Sequence, residues 1–175
     1  MTGVQTCALP IYVDKKKLAQ FATPRPVKFA QFATTRPLIV TSAEGELAGY
    51  SFDGQKIWDT KLFANIGGMS ITGDGKSIFL AQYTHGIQAY DDQGDPQAAF
   101  VVEGAPSRVS AAYFGDRLVV ATTERHLYWF DADGALLWAA ETPELVEALI
   151  CDPLGEWLIV GFKSGRILRL DWESA

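Results

Sequence analysis

Apolar and polar positions along this chain repeat with a long period. The apolar stretches ELAGY, GIQAY, HLYWF and RILRL end at Tyr50, Tyr90, Phe130 and Leu170, each forty residues from the last. Gly54, Gly94 and Gly134 follow in the same register, and so do the triplets Leu38-Ile39-Val40, Ile78-Phe79-Leu80, Leu118-Val119-Val120 and Leu158-Ile159-Val160. Read this way, no insertion or deletion is needed from Val27 to Asp171. A period of this size means one supersecondary unit copied in series.

The unit reads as four short strands. In the copy from Ile66 to Gly104, Met69–Thr72 is a short first strand. Gly73-Asp74-Gly75-Lys76 supplies turn chemistry, glycine for positive φ and aspartate for bonds to its own backbone. Ser77–Gln82 is a second strand, Ile87–Tyr90 a third and Gln97–Val101 a fourth, separated by turns at Tyr83–Gly86 and Asp91–Gly94. In the Val27–Lys61 copy, Ala33-Thr34-Thr35-Arg36 replaces the glycine turn. No segment has the length and 3.6-residue period of a helix; Pro143–Ile150 offers room for one helical turn at most. The second strand of each unit is apolar on both faces, so both faces must be covered. Identical neighbours cover them most simply. Packed four-stranded sheets at this period make a β-propeller. The expected fold is all-β, about four four-stranded antiparallel blades in an open arc, at 27–66, 67–106, 107–146 and an incomplete 147–175. Tyr12–Thr23 falls where the outer strand of a preceding blade belongs, with 12–26 as that strand plus a linker.

Two resemblances refine this. SITGDGKSIFLAQYTHGIQAYD (70–91) resembles a WD40-type repeat in its turn, strand, turn and aromatic-Asp ending. Gly54…Trp58 and Phe130-Asp131…Gly134…Trp138 resemble the repeat of the PQQ-like quinoprotein propellers, where a glycine precedes an outer-strand Trp by four residues. The chain departs from both, lacking the regular Gly-His and Trp-Asp pairs of the first and the Thr-Gly turn of the second. The broad bacterial PQQ-like/WD40-like group implies a propeller, with an extracytoplasmic setting favoured. Separately, Met1–Ile11 (MTGVQTCALPI) resembles the translation of a sequencing-adapter oligonucleotide. It is therefore set apart from the fold, and the native N-terminus is expected to lie elsewhere.

Composition narrows the function classes. The chain is 48% hydrophobic with mean hydropathy +0.05, enough to fill cores. The net charge of −6 carries no basic stripe, which argues against a nucleic-acid surface. No stretch approaches the roughly 18 apolar residues of a membrane span. With Cys7 in the leader segment, Cys151 is left as a small buried hydrophobe.

No catalytic constellation emerges. His85 and Arg125 occupy equivalent turns and His126 follows, but two histidines without fixed companions are not a metal signature. Gly75-Lys76-Ser77 lacks the upstream glycine and the helix of a phosphate loop. Asp91, Asp131 and Asp171 recur with the period, as a structural role does. The five Trp recur on strands and read as packing between blades. Neither a cofactor nor a metal site is assigned. The reading is a non-catalytic interaction or scaffold module with a protein partner. Its candidate surface is the end carrying the turns between second and third strands: Tyr83, His85, Arg108, Glu124, Arg125, His126, Lys163 and Arg166. The alternatives are a fragment of a quinoprotein dehydrogenase, which needs a central polar site and calcium, and a sensor propeller attached to a signalling or membrane domain. An open arc exposes apolar end faces, so self-association is expected.

Overall fold

Tight turns that return the chain every six residues or so leave it one regular option, an antiparallel meander. The computed structural model describes residues 12–13, 16–17 and 20–172, and the segment Met1–Ile11 lies outside them. β1 (Tyr12–Val13) and β2 (Lys16–Lys17) pair in a ribbon of their own. Then come four sheets. The first holds β3 (Val27–Phe32), β4 (Leu38–Ala43), β5 (Glu46–Ser51) and β6 (Lys56–Lys61). The second holds β7 (Ile66–Ile71), β8 (Ser77–Gln82), β9 (Gly86–Asp91) and β10 (Pro96–Phe100). β11 (Pro106–Ala111), β12 (Arg117–Thr122), β13 (His126–Asp131) and β14 (Leu136–Glu141) form the third. β15 (Val146–Cys151), β16 (Trp157–Phe162) and β17 (Ile167–Asp171) form the fourth. The fold is all-β, a series of open propeller blades, and no sheet closes into a barrel.

Three buried clusters sit at the three junctions between successive sheets. Val40 and Leu47 meet Ile78, Leu80 and Tyr90 at the first. Phe79 and Phe100 meet Leu118, Val120 and Phe130 at the second. Val119, Leu127 and Trp129 meet Leu158, Val160 and Phe162 at the third. Adjacent residues of one strand thus serve opposite neighbours: Phe79 faces forward, Ile78 and Leu80 backward. This is why the second strands read as continuous apolar runs.

Polar stitches run along the same series. Thr34 N–H donates to Gly73 O (2.9 Å), Gly73 N–H to Tyr113 O (2.8 Å) and Tyr113 N–H to Pro153 O (2.9 Å). In parallel, the Gln31, Ser70 and Ser110 side chains accept the backbone N–H of Ile71, Ala111 and Cys151, at 2.8, 3.0 and 2.9 Å. The fourth sheet has Ile150 and Pro153 at these places, which supply neither that acceptor nor that donor.

Three expectations need correction. First, the forty-residue register does not reach back to Val27. Ile39 pairs with Tyr50, as Ile78 pairs with Tyr90, so β4 is offset from β8 by thirty-nine. The missing residue lies in the β4–β5 hairpin, where Glu44-Gly45 alone joins Ala43 to Glu46, against Tyr83-Thr84-His85 between β8 and β9. The triplet 38–40 does lie in a second strand, but Leu38 and Val40 face the next sheet rather than Ile39. A one-residue slip exchanges the faces of a strand. Second, the first strands are longer than Met69–Thr72 suggests: β7 begins at Ile66 and runs through Gly67-Gly68. A Cβ on Gly67 would lie 2.8 Å from Ser107 Cα and 2.9 Å from the Tyr83 ring, so glycine here marks close approach of neighbouring backbone. Third, no helical turn forms over Pro143–Ile150. The Thr142 hydroxyl bonds Glu144 O at 2.8 Å, and β15 follows at once.

The aspartates fasten turns. Asp91 Oδ1 accepts the N–H of Gln93 and of Asp95, both at 2.9 Å. Asp131 repeats this with Asp133 (3.0 Å) and Ala135 (2.8 Å). Gly94 and Gly134 turn these hairpins with φ of 80° and 83°.

Candidate functional site

The hairpins between second and third strands lie at the same end of each sheet as the connections to the next sheet. Hydrogen bonds tie the two together: Tyr83 N–H to Asn65 O (3.2 Å), Thr123 N–H to Ala105 O (2.9 Å) and Thr142 N–H to Arg125 O (2.6 Å). Seven of the eight candidate residues stand in or beside these hairpins. Tyr83 is half-buried and lies over Gly67, and the exposed His85 holds Thr84 Oγ1 at 2.6 Å through Nδ1. Glu124 accepts the Ala105 N–H at 2.8 Å. That bond above all holds its carboxyl below the usual carboxylate range against the opposing effect of burial, with smaller help from the Thr123 hydroxyl. Arg125 takes φ of 68° and pairs with Glu141 at 2.7 Å. Arg166 pairs with Glu144 at 3.0 Å and lies over the Phe162 ring. Lys163 is exposed in the same loop. His126 opens β13, its Nδ1 buried without a partner among the described residues and its ring 6.1 Å from Tyr128.

Arg108 lies elsewhere, on the inner strand β11. Its guanidinium bonds Glu147 O (2.8 Å) and the Glu147 carboxylate (3.0 Å), joining the third sheet to the fourth. So three of the named arginines are held by a glutamate, two within their own sheet or its connection and one across a junction. Arrangements of this kind fasten loops and strand junctions.

Chemistry of other kinds has little to build on. Among the described residues no group of three His, Cys, Asp or Glu side chains converges as a bound ion requires. Burial, with Asp152 and Asp116 adding to it, pushes the Cys151 thiol up to about 12, so it is neither nucleophile nor ligand at neutral pH. No helix among the described residues is long and apolar enough to cross a membrane.

One place escaped the reading of the sequence. A cavity of about 460 Å³ opens where the first sheet meets the second, lined by Lys28, Ser42, Glu44 and Asn65 among others. Two of these, Lys28 and Ser42, occupy the positions of Gly67 and Ala81 in the second sheet, a departure visible only once the thirty-nine-residue offset is known.

Comparison with known proteins agrees with this architecture. The family model described as outer membrane protein assembly factor BamB, a PQQ-like repeat model, matches residues 29–144. The chain belongs to this PQQ-like repeat family. Its outer-strand Trp shows what the repeat is for: a Cβ on Gly49 or on Gly94 would come 2.4 or 2.5 Å from Trp58, whose indole fills the space between one blade and the next. The lambda-carrageenase of a Pseudoalteromonas species is 31% identical over 113 residues, 60% of this chain and 12% of the enzyme. That of Pseudoalteromonas carrageenovora is 30% identical over 113 residues, with the same shares. The PQQ-like chain thus spans about 12% of the length of these enzymes.

Proposed function

We propose that this PQQ-like chain is a non-catalytic interaction module that presents its hairpin end to a protein partner. The observation that carries the reading is the uneven chemistry of that end. Equivalent hairpin positions hold Tyr83-Thr84-His85, Thr123-Glu124-Arg125 and Lys163-Ser164-Gly165, while the strands beneath keep one apolar grammar. Loops carry specificity and a rigid scaffold positions them. The family description, an assembly factor, favours protein association over chemistry. Photo-crosslinking tests it. A crosslinker at His85 or Lys163 is expected to capture a protein that one at Asp116 or Lys76, in turns of the opposite end, does not. Equal capture from both ends, or none, overturns the reading.

A second reading rests on the matches to lambda-carrageenases: the repeat serves as an accessory part of a larger polysaccharide-degrading enzyme. Affinity electrophoresis through a gel containing λ-carrageenan separates the two. Retarded migration favours the accessory role and unchanged migration the protein-binding one.

A further inference from the structure

In a repeat protein, residues that break the repeat together, in one place, mark something other than the scaffold. Three such breaks meet at the first junction. The β4–β5 hairpin is one residue short, so Glu44 stands where the second hairpin has Tyr83. At the next junction the Tyr83 ring lies over Gly67 and closes the corresponding space. Lys28 takes the place of Gly67, and Ser42 that of Ala81, by the pairing of their strands. The result is the cavity of about 460 Å³, walled by Pro26, Val27 and Ile66.

Its donors have hydrogen-bonding capacity to spare. Lys28 directs one N–H to Ile66 O, and its ammonium lies 5.4 Å from the Phe29 ring centre and 6.0 Å from that of Tyr83. That leaves two ammonium protons without a hydrogen-bond partner among the described residues. Ser42 is 1% exposed and its Oγ has no hydrogen-bond partner among the described residues. Its equivalents Ala81, Ala121 and Gly161 have no hydroxyl to satisfy. A buried hydroxyl left unpaired costs stability, and Ser42 is among the residues lining the cavity, so a bound group that reaches its Oγ would satisfy it. Asn65 adds a side-chain amide. Arg25 donates Nη1 to Glu44 O at 2.5 Å, which holds a second cation beside the hairpin. The wall carries one carboxylate, Glu44, which like Lys28 and Asn65 is exposed.

We infer that this cavity is a binding site for a small ligand bearing an oxyanion, a carboxylate or a phosphate group, with Lys28 as its charge partner and Ser42 and Asn65 as hydrogen-bond donors. The volume suits a ligand of a few to a dozen heavy atoms.

The test uses the full chain and two probes, succinate and inorganic phosphate, followed by saturation-transfer and phosphorus NMR, which tolerate oligomers. One probe is expected to bind saturably at constant ionic strength, and which one does assigns the group. Lys28→Gln is expected to weaken that probe about tenfold, the loss of one charge-assisted contact. Ser42→Ala should weaken it roughly threefold while leaving the fold intact. Lys76→Gln, at the opposite end, should change nothing. Circular dichroism confirms that each variant is folded. Binding of neither probe, binding that chloride displaces equally well, or binding indifferent to Lys28→Gln in a folded variant overturns the site.

Discussion

Trp58 shows at the residue scale how little freedom the blades leave. Its indole lies against Gly49 of its own sheet and Gly94 of the next. Gly49→Ala places a methyl 2.4 Å from the ring, with no rotamer to retreat into. It should cost about 1–3 kcal/mol by overpacking, and markedly less in a Trp58→Leu background, as urea unfolding of the two pairs would show. Cys151 offers a different test. Its thiol is held up to about 12 from an ordinary value of 9.0, mainly by burial. The folded state therefore keeps a proton that the unfolded state gives up. The corresponding stability is whole below pH 9 and declines as pH rises from about 9 to 12. In a Cys7→Ala background, which leaves Cys151 as the one thiol, native chain should resist alkylation at pH 8 while urea-unfolded chain reacts at once. Rapid alkylation of folded protein would contradict the buried environment.

Elements differ in how they tolerate change, and the short first hairpin says where. Adding one glycine between Glu44 and Gly45 restores the length of the other hairpins and leaves every strand face in place. Stability should shift by less than about 1 kcal/mol, since a longer loop costs little entropy. The same glycine inserted between Val40 and Thr41 turns half of β4 inside out. That variant should lose its cooperative melt, because buried and exposed positions exchange. The two insertions, read by thermal unfolding, distinguish the thirty-nine-residue offset from an unbroken register. Between elements, the exposed Arg36–Asp92 pair joins the first sheet to the second. The hydrogen bond from Arg36, above all, holds the Asp92 carboxyl below the usual carboxylate range despite its partial burial. Its contribution is present above about pH 4 and fades as the pH falls through the lowered value. Arg36→Gln should flatten that part of the acid limb by no more than about 1 kcal/mol, as exposed pairs do.

For the whole molecule the question is what the end sheets meet. The leading face of the first sheet carries Phe21, stacked on Tyr50 with ring centres 4.6 Å apart. It also lies against Gly54, as Phe100 lies against Gly134 and beside Phe130. On the fourth sheet Ile150 is 59% and Ile167 71% exposed. The equivalents of Ile167, Ile87 and Leu127, are buried between sheets. An apolar sheet face of this kind favours association. The chain should elute from size exclusion well above its 19.1 kDa monomer mass. Ile150→Lys should move it toward the monomer without lowering the cooperativity of its melt. A monodisperse wild-type monomer would count against association through this face.

What the sequence determined by itself is whatever a few neighbouring residues settle. Alternation and apolar runs define strands, and Gly54, Gly94 and Gly134 with Asp91 and Asp131 define the turns, because positive φ and Asx bonding are local. Copying of the unit then implies the blades. Which face a strand shows was decided only by its partner across the sheet. That is why Leu38-Ile39-Val40 looked equivalent to Ile78-Phe79-Leu80 and is not. The strand role of Gly67-Gly68 depended on the backbone of Pro106 and Ser107 some forty residues away. Two nearly identical octapeptides, AQFATPRP at 19–26 and AQFATTRP at 30–37, make the same point. In AQFATTRP, Ala30–Phe32 close a strand and Phe32 is 63% exposed. In AQFATPRP, Gln20–Ala22 form no strand and Phe21 is stacked on Tyr50. Nearly identical local preferences gave two outcomes, because burial on a neighbouring ring outweighs the small propensity differences of a short peptide. The cavity at Lys28 and Ser42 is tertiary for the same reason: its residues come from three elements, and nothing in their spacing announces that they meet.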